Sequence, residues 1–94
     1  MLSLKEQHII REITSKYAPT CVGIFGSYSR NEEQSESDID ILIDFKDNLD
    51  LLTIIGIEQE LEELLGKKVD LITYKSLNKL LKPFIENDLI PLIQ

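Results

Sequence analysis

Hydrophobic positions along the chain follow two different periods, which separate predicted helices from predicted strands. The first helix opens with a capping box, in which Ser3 is the N-cap and Glu6 reaches back to it. Apolar residues at helical spacing continue from there to Tyr17, and Pro19 ends the helix. The short apolar run at residues 20–25 then has the length and composition of a buried strand.

Strict alternation marks residues 37–45, SDIDILIDF, as the second predicted strand. Successive side chains of a strand point to opposite faces, so this strand has one apolar face and one largely acidic face. The polar segment before it, NEEQSES, is predicted to be a loop. The apolar face carries Ile39, Ile41, Ile43 and Phe45, and the other face carries Asp38, Asp40, Leu42 and Asp44.

A long helix follows, with Asn48 as its predicted N-cap and Gly66 placed to end it. Residues 67–74, KKVDLITY, form the third predicted strand, with Asp70 and Ile72 on one face. The apolar residues of the helix are Leu52, Ile55, Leu61, Leu64 and Leu65, and its solvated face carries Glu58, Glu60, Glu62 and Glu63.

The last quarter of the chain is predicted to be helical from Ser76, and Pro83 kinks this helix or starts a new piece. The tail, residues 88–94, is apolar but contains Pro91 and is predicted to be extended. The elements thus alternate α-β-α-β-α-β-α, which predicts a small α/β fold with short strands and helices on one or both faces. With 94 residues, the chain suffices for one domain, 1–94, with one modest core.

Composition and charge narrow the function classes. There are 17 acidic and 10 basic residues, for a net charge of −7, and the basic residues are scattered, so direct nucleic-acid binding is not expected. No apolar run approaches the ~20 residues of a membrane helix, the N-terminus lacks a signal-peptide pattern, and Cys21 is the sole cysteine. We therefore expect a cytoplasmic protein whose acidic surface faces solvent, a basic partner or divalent cations.

One short stretch, FGSYSRNEEQSESDIDILIDF, combines residue types that suit phosphoryl transfer. Asp38 and Asp40 lie two positions apart on a strand, so their carboxylates share a face and repel each other unless solvent or a cation neutralises them. Mg²⁺ prefers such oxygen ligands, and a pair of ions stabilises both the attacking and the leaving oxygen of a phosphoryl displacement. Asp70 adds a third carboxylate if its strand is adjacent.

A Gly-Ser pair precedes these aspartates by ten residues and directly follows the first strand. Gly26 has no Cβ, so a phosphate can approach its backbone closely, while Ser27 offers a hydroxyl and caps a short helix. Arg30, one turn further on, can reach the same phosphate as a fixed cation. Taken singly, these features are typical of an ordinary turn, a solvated strand face and a surface arginine. Their combination in this order favours a nucleotide site.

The pattern Gly-Ser, ten residues, Asp-x-Asp resembles that of the polymerase-beta-like nucleotidyltransferases. The short chain is similar to the minimal nucleotidyltransferase (MNT) group among them, and the resemblance weakens in the last twenty or so residues. The sequence departs from the group at two positions: Tyr28 stands where a basic residue is common, and Asn31 where glycine is common. Asn tolerates left-handed backbone better than most residues, which keeps the turn feasible. The resemblance implies a short mixed sheet covered by helices.

The resemblance also implies a role for each residue of the motif. Asp38 and Asp40 would ligate two Mg²⁺ ions, for which Mn²⁺ can substitute. Asp70 would ligate one of them and help to deprotonate the acceptor hydroxyl. Gly26 and Ser27 would hold the β- and γ-phosphates of a nucleoside triphosphate, expected to be ATP.

The MNT group pairs with HEPN-domain proteins in toxin–antitoxin systems. The implied activity is therefore transfer of AMP from ATP to a hydroxyl, expected to be a tyrosine, of a HEPN ribonuclease toxin, and whether the chain also forms a homo-oligomer stays open. One alternative is a non-catalytic antitoxin that covers its toxin. Another is nucleotide transfer to a small molecule such as an aminoglycoside, although so short a chain offers no evident acceptor pocket. In the binding alternative, the contact surface is the apolar tail, with Leu89, Ile90, Leu92 and Ile93.

Overall fold

The computed structural model describes residues 2–94, which form a four-stranded mixed sheet with helices packed against it. The strand order is β3-β2-β1-β4; β2 and β3 are parallel, whereas β1 is antiparallel to both β2 and β4. The expected fold class, a short mixed sheet covered by helices, is confirmed. The elements are α1 (Leu4–Ser15), β1 (Pro19–Phe25), β2 (Ile39–Phe45), α2 (Leu51–Leu65), β3 (Val69–Thr73), α3 (Lys82–Asp88) and β4 (Ile90–Ile93).

The capping box of α1 forms as predicted. The backbone N–H of Glu6 donates to Ser3 Oγ at 3.1 Å, and the backbone N–H of Ser3 donates to Glu6 Oε1 at 3.0 Å. The helix ends at Ser15, earlier than the proline that was expected to stop it. Pro19 instead begins β1, where its missing N–H costs least.

The hydrophobic core lies between one face of the sheet and the two long helices. Side chains from α1 and α2 pack against alternate residues of β1 and β2, as the alternation in β2 predicted. Among residues 2–94, no helix is both long and apolar enough to cross a membrane. The residues of this cluster with no exposed surface are Ile10, Val22, Ile39, Ile41, Ile43, Ile57 and Leu61.

Helix α2 buries only part of the apolar set predicted for it. Its N-cap is Asp50, whose Oδ1 accepts the Thr53 N–H at 2.8 Å, and not Asn48. Ile57 and Leu61 are fully buried, whereas Leu52 is 79% exposed. Of the predicted apolar residues, Leu61 and Leu65 lie in or against the core, whereas Leu52, Ile55 and Leu64 are exposed. Gly66 ends the helix in the left-handed conformation as predicted.

Two glutamates of α2 close one edge of the sheet. Glu62 Oε2 accepts the backbone N–H of Val69, and Glu58 Oε2 accepts that of Leu71, both at 2.9 Å. Strand β3 is an edge strand, and these N–H groups are the ones that point away from β2, because Ile39 donates to the carbonyl of residue 68. The sequence interpretation of these two glutamates as a solvated face is therefore wrong.

The C-terminal segment forms a fourth strand. Pro83 lies in the first turn of α3, so it starts a new helix as one of the two predicted outcomes, whereas Ser76 belongs to a separate short 3₁₀ turn. The extended tail is β4, paired with β1. Leu92 and Ile93 pack against the core, so the tail is not the free contact surface that the binding hypothesis assigned to it. The exposed apolar residues of this segment are instead Leu80, Leu81 and Phe84.

Candidate active site

Three aspartates come together on the face of the sheet that α1 and α2 leave open. Asp40 in β2 and Asp70 in β3 are direct partners in the parallel register, on strands about 4.8 Å apart. Asp38 lies two residues before Asp40, immediately outside β2. The buried isoleucines that flank Asp40 point into the core, so its side chain points the other way. The condition set for Asp70, a neighbouring strand, is met.

The cluster makes Asp40 a poor place for a negative charge. Partial burial, the nearby charge of Asp70 and then that of Asp38 raise the pKa of Asp40 to about 6, and the positive charge of Arg30 opposes this rise. Burial and the like charges of Asp70 and Asp38 disfavour the ionised carboxylate of Asp40, whereas the positive charge of Arg30 favours it. A cation bound between these carboxylates would relieve the repulsion.

Gly26 is built against the Asp40 carboxylate. Its φ of +75° is a conformation that side-chain-bearing residues rarely adopt. A Cβ at this position would overlap Asp40 Oδ2 and would lie 3.2 Å from Asp40 Cγ. The glycine of the Gly-Ser pair and the second aspartate of the Asp-x-Asp pair are therefore in direct contact, although 13 residues separate them in the sequence.

The Gly-Ser pair opens a single 3₁₀ turn, Gly26–Tyr28. Phe25 occupies its N-cap position and no side chain caps it, so the prediction that Ser27 is the cap is wrong. Ser29 holds the turn, because its Oγ donates to the carbonyl of Gly26 at 2.8 Å. Asn31 adopts the left-handed conformation with φ of 58°, as its substitution for glycine requires. The hydroxyl of Ser27 engages no side chain or backbone group within the described residues.

Tyr28, one of the two departures from the family pattern, is a core residue. Its side chain is 4% exposed and packs in the main hydrophobic cluster. The Lys67 ammonium lies 5.4 Å from the centre of its ring and also pairs with Glu6 Oε2 at 2.8 Å. Tyr28 thereby links the turn to Lys67, which precedes β3, and through Lys67 to Glu6 of α1. Sequence spacing gave no sign of this contact, because Lys67 lies 39 positions further along the chain.

Arg30 lies beside the acidic face, where it forms ion pairs with two carboxylates. Its Nη1 lies 2.5 Å from Asp88 Oδ2 and its Nε lies 3.5 Å from Glu32 Oε2. The guanidinium is 44% exposed, and its charge acts on Asp40. The role of Arg30 in phosphate binding stays a prediction, and the sequence gave no sign of its partner Asp88, which belongs to the C-terminal helix.

The C-terminal segment covers part of the acidic face. Gly23 pairs with Leu42, so both point to the side of Asp40. The Leu89 side chain lies over Gly23, where a Cβ would come within 2.6 Å of Leu89 Cδ1. Leu42, the partner of Gly23 in β2, is 1% exposed. One half of this face is therefore apolar and covered, and the half with the aspartates is open.

The donor set suits a hard divalent cation. Asp38, Asp40 and Asp70 supply carboxylate oxygens, and none of these accepts a hydrogen bond from residues 2–94. The same part of the chain holds no group of three His, Cys, Asp or Glu side chains already arranged for metal binding. The three carboxylates would therefore have to come closer together to share an ion.

A Gly26→Ala substitution tests the contact between the two motifs. We expect it to lower stability by about 1 kcal/mol, because of its positive φ, and to reduce nucleotidyl transfer to the level of a variant without the Asp40 carboxylate, because the new Cβ displaces that group. Thermal unfolding and a transfer assay measure the two effects. Gly56→Ala is the matched control, since nothing lies within 4 Å of its Cβ position in α2.

That control should gain about 0.5–1 kcal/mol of stability and keep full transfer. If Gly26→Ala transfers as well as the wild type, the packing of this glycine against Asp40 has no part in the activity.

A comparison with known protein families identifies the family of this chain. The sequence profile described as "Polymerase beta, Nucleotidyltransferase" matches residues 7–94. The chain belongs to this nucleotidyltransferase family. Members of the family generally use divalent metal ions, which agrees with the clustered carboxylates of the open face.

Two relatives of this chain are named as protein adenylyltransferases. A relative from Methanocaldococcus jannaschii, named as a candidate protein adenylyltransferase, is 43% identical over 91 residues, covering 89% of this chain and 98% of that protein. Protein adenylyltransferase MntA from Thermococcus cleftensis is 42% identical over 82 residues, covering 82% and 83%. A crystal structure described as a toxin–antitoxin with AMP-PNP matches with a TM-score of 0.84 at 28% identity, over 95% of this chain and 73% of that one. The chain is accordingly a nucleotidyltransferase.

Proposed function

We propose that this protein transfers AMP from ATP to a hydroxyl of a partner HEPN toxin, expected to be a tyrosine hydroxyl, and so acts as its antitoxin. The observation that carries the proposal is the junction of Gly26, Asp40 and Asp70 on one open face. This junction brings the turn that would bind phosphate next to two carboxylates on neighbouring strands. The name of the relative MntA supports AMP as the transferred group and a protein as the acceptor, and the resemblance to MNT antitoxins supports a HEPN toxin as that protein.

The acidic residues take different parts in this proposal. Asp38 and Asp40 would hold two Mg²⁺ ions, or Mn²⁺ in their place, at the triphosphate. When bound, such ions stabilise the charge on the transferred phosphoryl group and acidify the attacking hydroxyl. Asp70, the more exposed partner on the edge strand, would face the acceptor and take the proton of its hydroxyl.

The transfer itself is an in-line displacement. The acceptor oxygen attacks the α-phosphorus, the bond from that phosphorus to the bridging oxygen of the β-phosphate breaks, and pyrophosphate leaves. Gly26 and Ser27 would hold the β- and γ-phosphates that depart, through an unhindered backbone and a free hydroxyl. Arg30 would add a fixed positive charge on the same side.

In this proposal the acceptor is presented by another protein. We propose that residues 1–94 form a single domain. In it, α1 and α2 cover the core, and α3 contacts β1. No element within residues 2–94 is left to build a pocket for an acceptor over Asp70. A partner that presents its own hydroxyl at the open face would complete the site.

A second function is favoured by one observation. Leu80, Leu81 and Phe84 are 79%, 55% and 73% exposed, which is a large apolar surface for one short segment. Exposed apolar patches of this kind are typical of protein interfaces. The protein could therefore silence its toxin by covering it, with no transfer of AMP.

Intact mass separates the two functions. The HEPN toxin is incubated with this protein, Mg²⁺ and ATP, and its mass and ribonuclease activity are measured together. We expect the toxin to gain the mass of one or more AMP groups and to lose activity, and we expect Asp38→Asn/Asp40→Asn to abolish both changes. A toxin that is silenced at unchanged mass, by wild type and double variant alike, would establish the covering function instead.

A further inference from the structure

We propose that Asp88 is a positioning residue for the nucleotide: it holds the Arg30 guanidinium over the acidic face, so that the remaining N–H donors of this group meet the triphosphate. The inference rests on the proposed function, since it presumes that the triphosphate binds at Gly26. It assigns a role to the C-terminal helix α3.

The geometry of the pair is the first argument. Asp88 is the last residue of α3 and lies 58 positions after Arg30 in the sequence. Its Oδ2 contacts Nη1 of Arg30 at 2.5 Å, and its side chain is 25% exposed against 44% for the arginine. The carboxylate is thus the better-fixed member of the pair. It is the group that can hold the other one in place.

The support behind Asp88 is the second argument. The next residue, Leu89, places its side chain on Gly23 of β1, on the same face as Asp40. Strand β4 then begins at Ile90 and pairs with β1. The end of α3 is therefore anchored to the sheet at the edge of the acidic cluster, and a carboxylate mounted there has a defined position relative to Asp40.

The donors that remain on Arg30 are the third argument. A guanidinium has five N–H donors in a rigid fork. Asp88 pairs with Nη1, and Glu32 lies 3.5 Å from Nε. Two ion pairs do not use all five donors, so N–H groups of the guanidinium remain for a third anion. A phosphate oxygen is the anion that the proposed reaction brings to this face.

Without Asp88, the remaining partner would draw the arginine away. Glu32 belongs to the loop after the Gly-Ser turn and is 65% exposed, so it gives the guanidinium no fixed orientation. The positive charge that now acts on Asp40 would move with it. Asp88 therefore acts through Arg30 and does not itself touch the nucleotide.

The sign of the effect distinguishes positioning from simple electrostatics. Deleting a carboxylate near a triphosphate site removes a repulsion, which by itself strengthens nucleotide binding. Deleting a carboxylate that positions an arginine weakens binding. Asp88→Ala is therefore expected to lower affinity, against the direction that net charge predicts.

The test is calorimetric titration with a non-hydrolysable ATP analogue and Mg²⁺. We expect Arg30→Ala to weaken binding on the order of ten- to hundredfold, the range for a hydrogen bond to a charged group. Asp88→Ala should weaken it about two- to fivefold, the range for a partly exposed ion pair. The double variant Arg30→Ala/Asp88→Ala should bind no more weakly than Arg30→Ala alone, because Asp88 has then no arginine to position.

Two further variants serve as controls. Glu86→Gln removes one negative charge from the same helix and can still accept the hydrogen bond from the Tyr74 hydroxyl, so its affinity should equal or exceed that of the wild type. Asp88→Glu keeps the carboxylate and should recover part of the loss. Thermal unfolding, run in parallel, establishes that each variant is folded at the temperature of the titration.

Unaltered or tighter binding by Asp88→Ala would overturn the inference, and so would losses that add in the double variant. In both cases the wild type still binds the analogue and the proposed function stands. If the wild type does not bind the analogue with Mg²⁺, the proposed function fails and the inference falls with it. A loss shared equally by Glu86→Gln would also overturn it, since the effect would then belong to the helix as a whole.

Discussion

Asp40→Asn is expected to make the ligand-free protein more stable at pH 7, and at the same time to abolish its stabilisation by Mg²⁺ and ATP. Burial and the two neighbouring aspartates raise the pKa of Asp40 to about 6, so at pH 7 the folded protein holds a charge that the unfolded chain accommodates more easily. Asparagine removes that charge and keeps the shape. Solvent screening at this partly exposed site reduces the gain to about 1 kcal/mol, or about 4–8 °C in Tm.

The pH dependence follows from the same shift. Between about pH 4 and pH 6 the folded protein retains a proton on Asp40 that the unfolded chain has lost, so the free energy of unfolding falls as the pH rises through this range. Asp40→Asn should remove this part of the slope. Thermal unfolding from pH 4 to pH 8, with and without Mg²⁺ and ATP, measures both effects, because a ligand that binds the folded state raises Tm.

Asp44→Asn is the matched control for this experiment. Asp44 lies on the same face of β2, four residues further on, and accepts the backbone N–H of Phe45 through Oδ1, which asparagine can also do. It should leave the pH slope and the response to Mg²⁺ and ATP unchanged. If Asp40→Asn is destabilised at pH 7, or still responds fully to the nucleotide, Asp40 serves the fold and not the metal site.

Asp70→Asn is expected to bind the nucleotide almost normally and to lose transfer by about 10²–10⁴-fold, the contribution typical of a positioned general base. Asp38 and Asp40 lie nearer to the Gly-Ser turn and keep the triphosphate site intact. The contribution of Asp70 falls mainly in the transition state, so its loss affects the rate more than the affinity. Calorimetric titration gives the affinity, and the mass of the treated HEPN toxin gives the extent of transfer.

The neighbouring Ile72→Val change is a suitable control, since it alters the same face of β3 without touching a charge. It should leave both measurements close to those of the wild type. Undiminished transfer by Asp70→Asn would remove this residue from the site. A parallel loss of affinity would move it to the nucleotide-binding group together with Asp38 and Asp40.

Most of the candidate site could be predicted from the sequence, because the alternation of side chains along a strand depends only on neighbouring residues. Three buried isoleucines at alternate positions of β2 fix which way Asp40 points, and no distant residue can reverse that choice. The glycine of the Gly-Ser pair is equally informative, since its positive φ and its lack of a Cβ are both needed where it meets Asp40. Patterns of this kind need only a few adjacent residues to be interpreted.

What the sequence could not supply depends on contacts between distant segments. Helix α2 carries apolar residues around most of its circumference, and only the position of the sheet selects Ile57 and Leu61 over Leu52. The pairing of β4 with β1 joins residues almost 70 positions apart. The ion pair between Arg30 and Asp88 depends on that pairing, because it forms only once the C-terminal segment lies along β1.

The closed edge at β3 limits how this protein can meet another one. An open strand edge lets a foreign strand add to a sheet through backbone hydrogen bonds, both in recognition and in amyloid growth. Here the outward N–H groups of Val69 and Leu71 are already bound by Glu62 and Glu58, and at the opposite edge β4 contains Pro91, which has no N–H to offer. The sheet is thus a poor template for any added strand. We therefore expect a partner to be recognised through side chains, including those of the open sheet face, and an excess of this protein over its partner should stay free of β-aggregation.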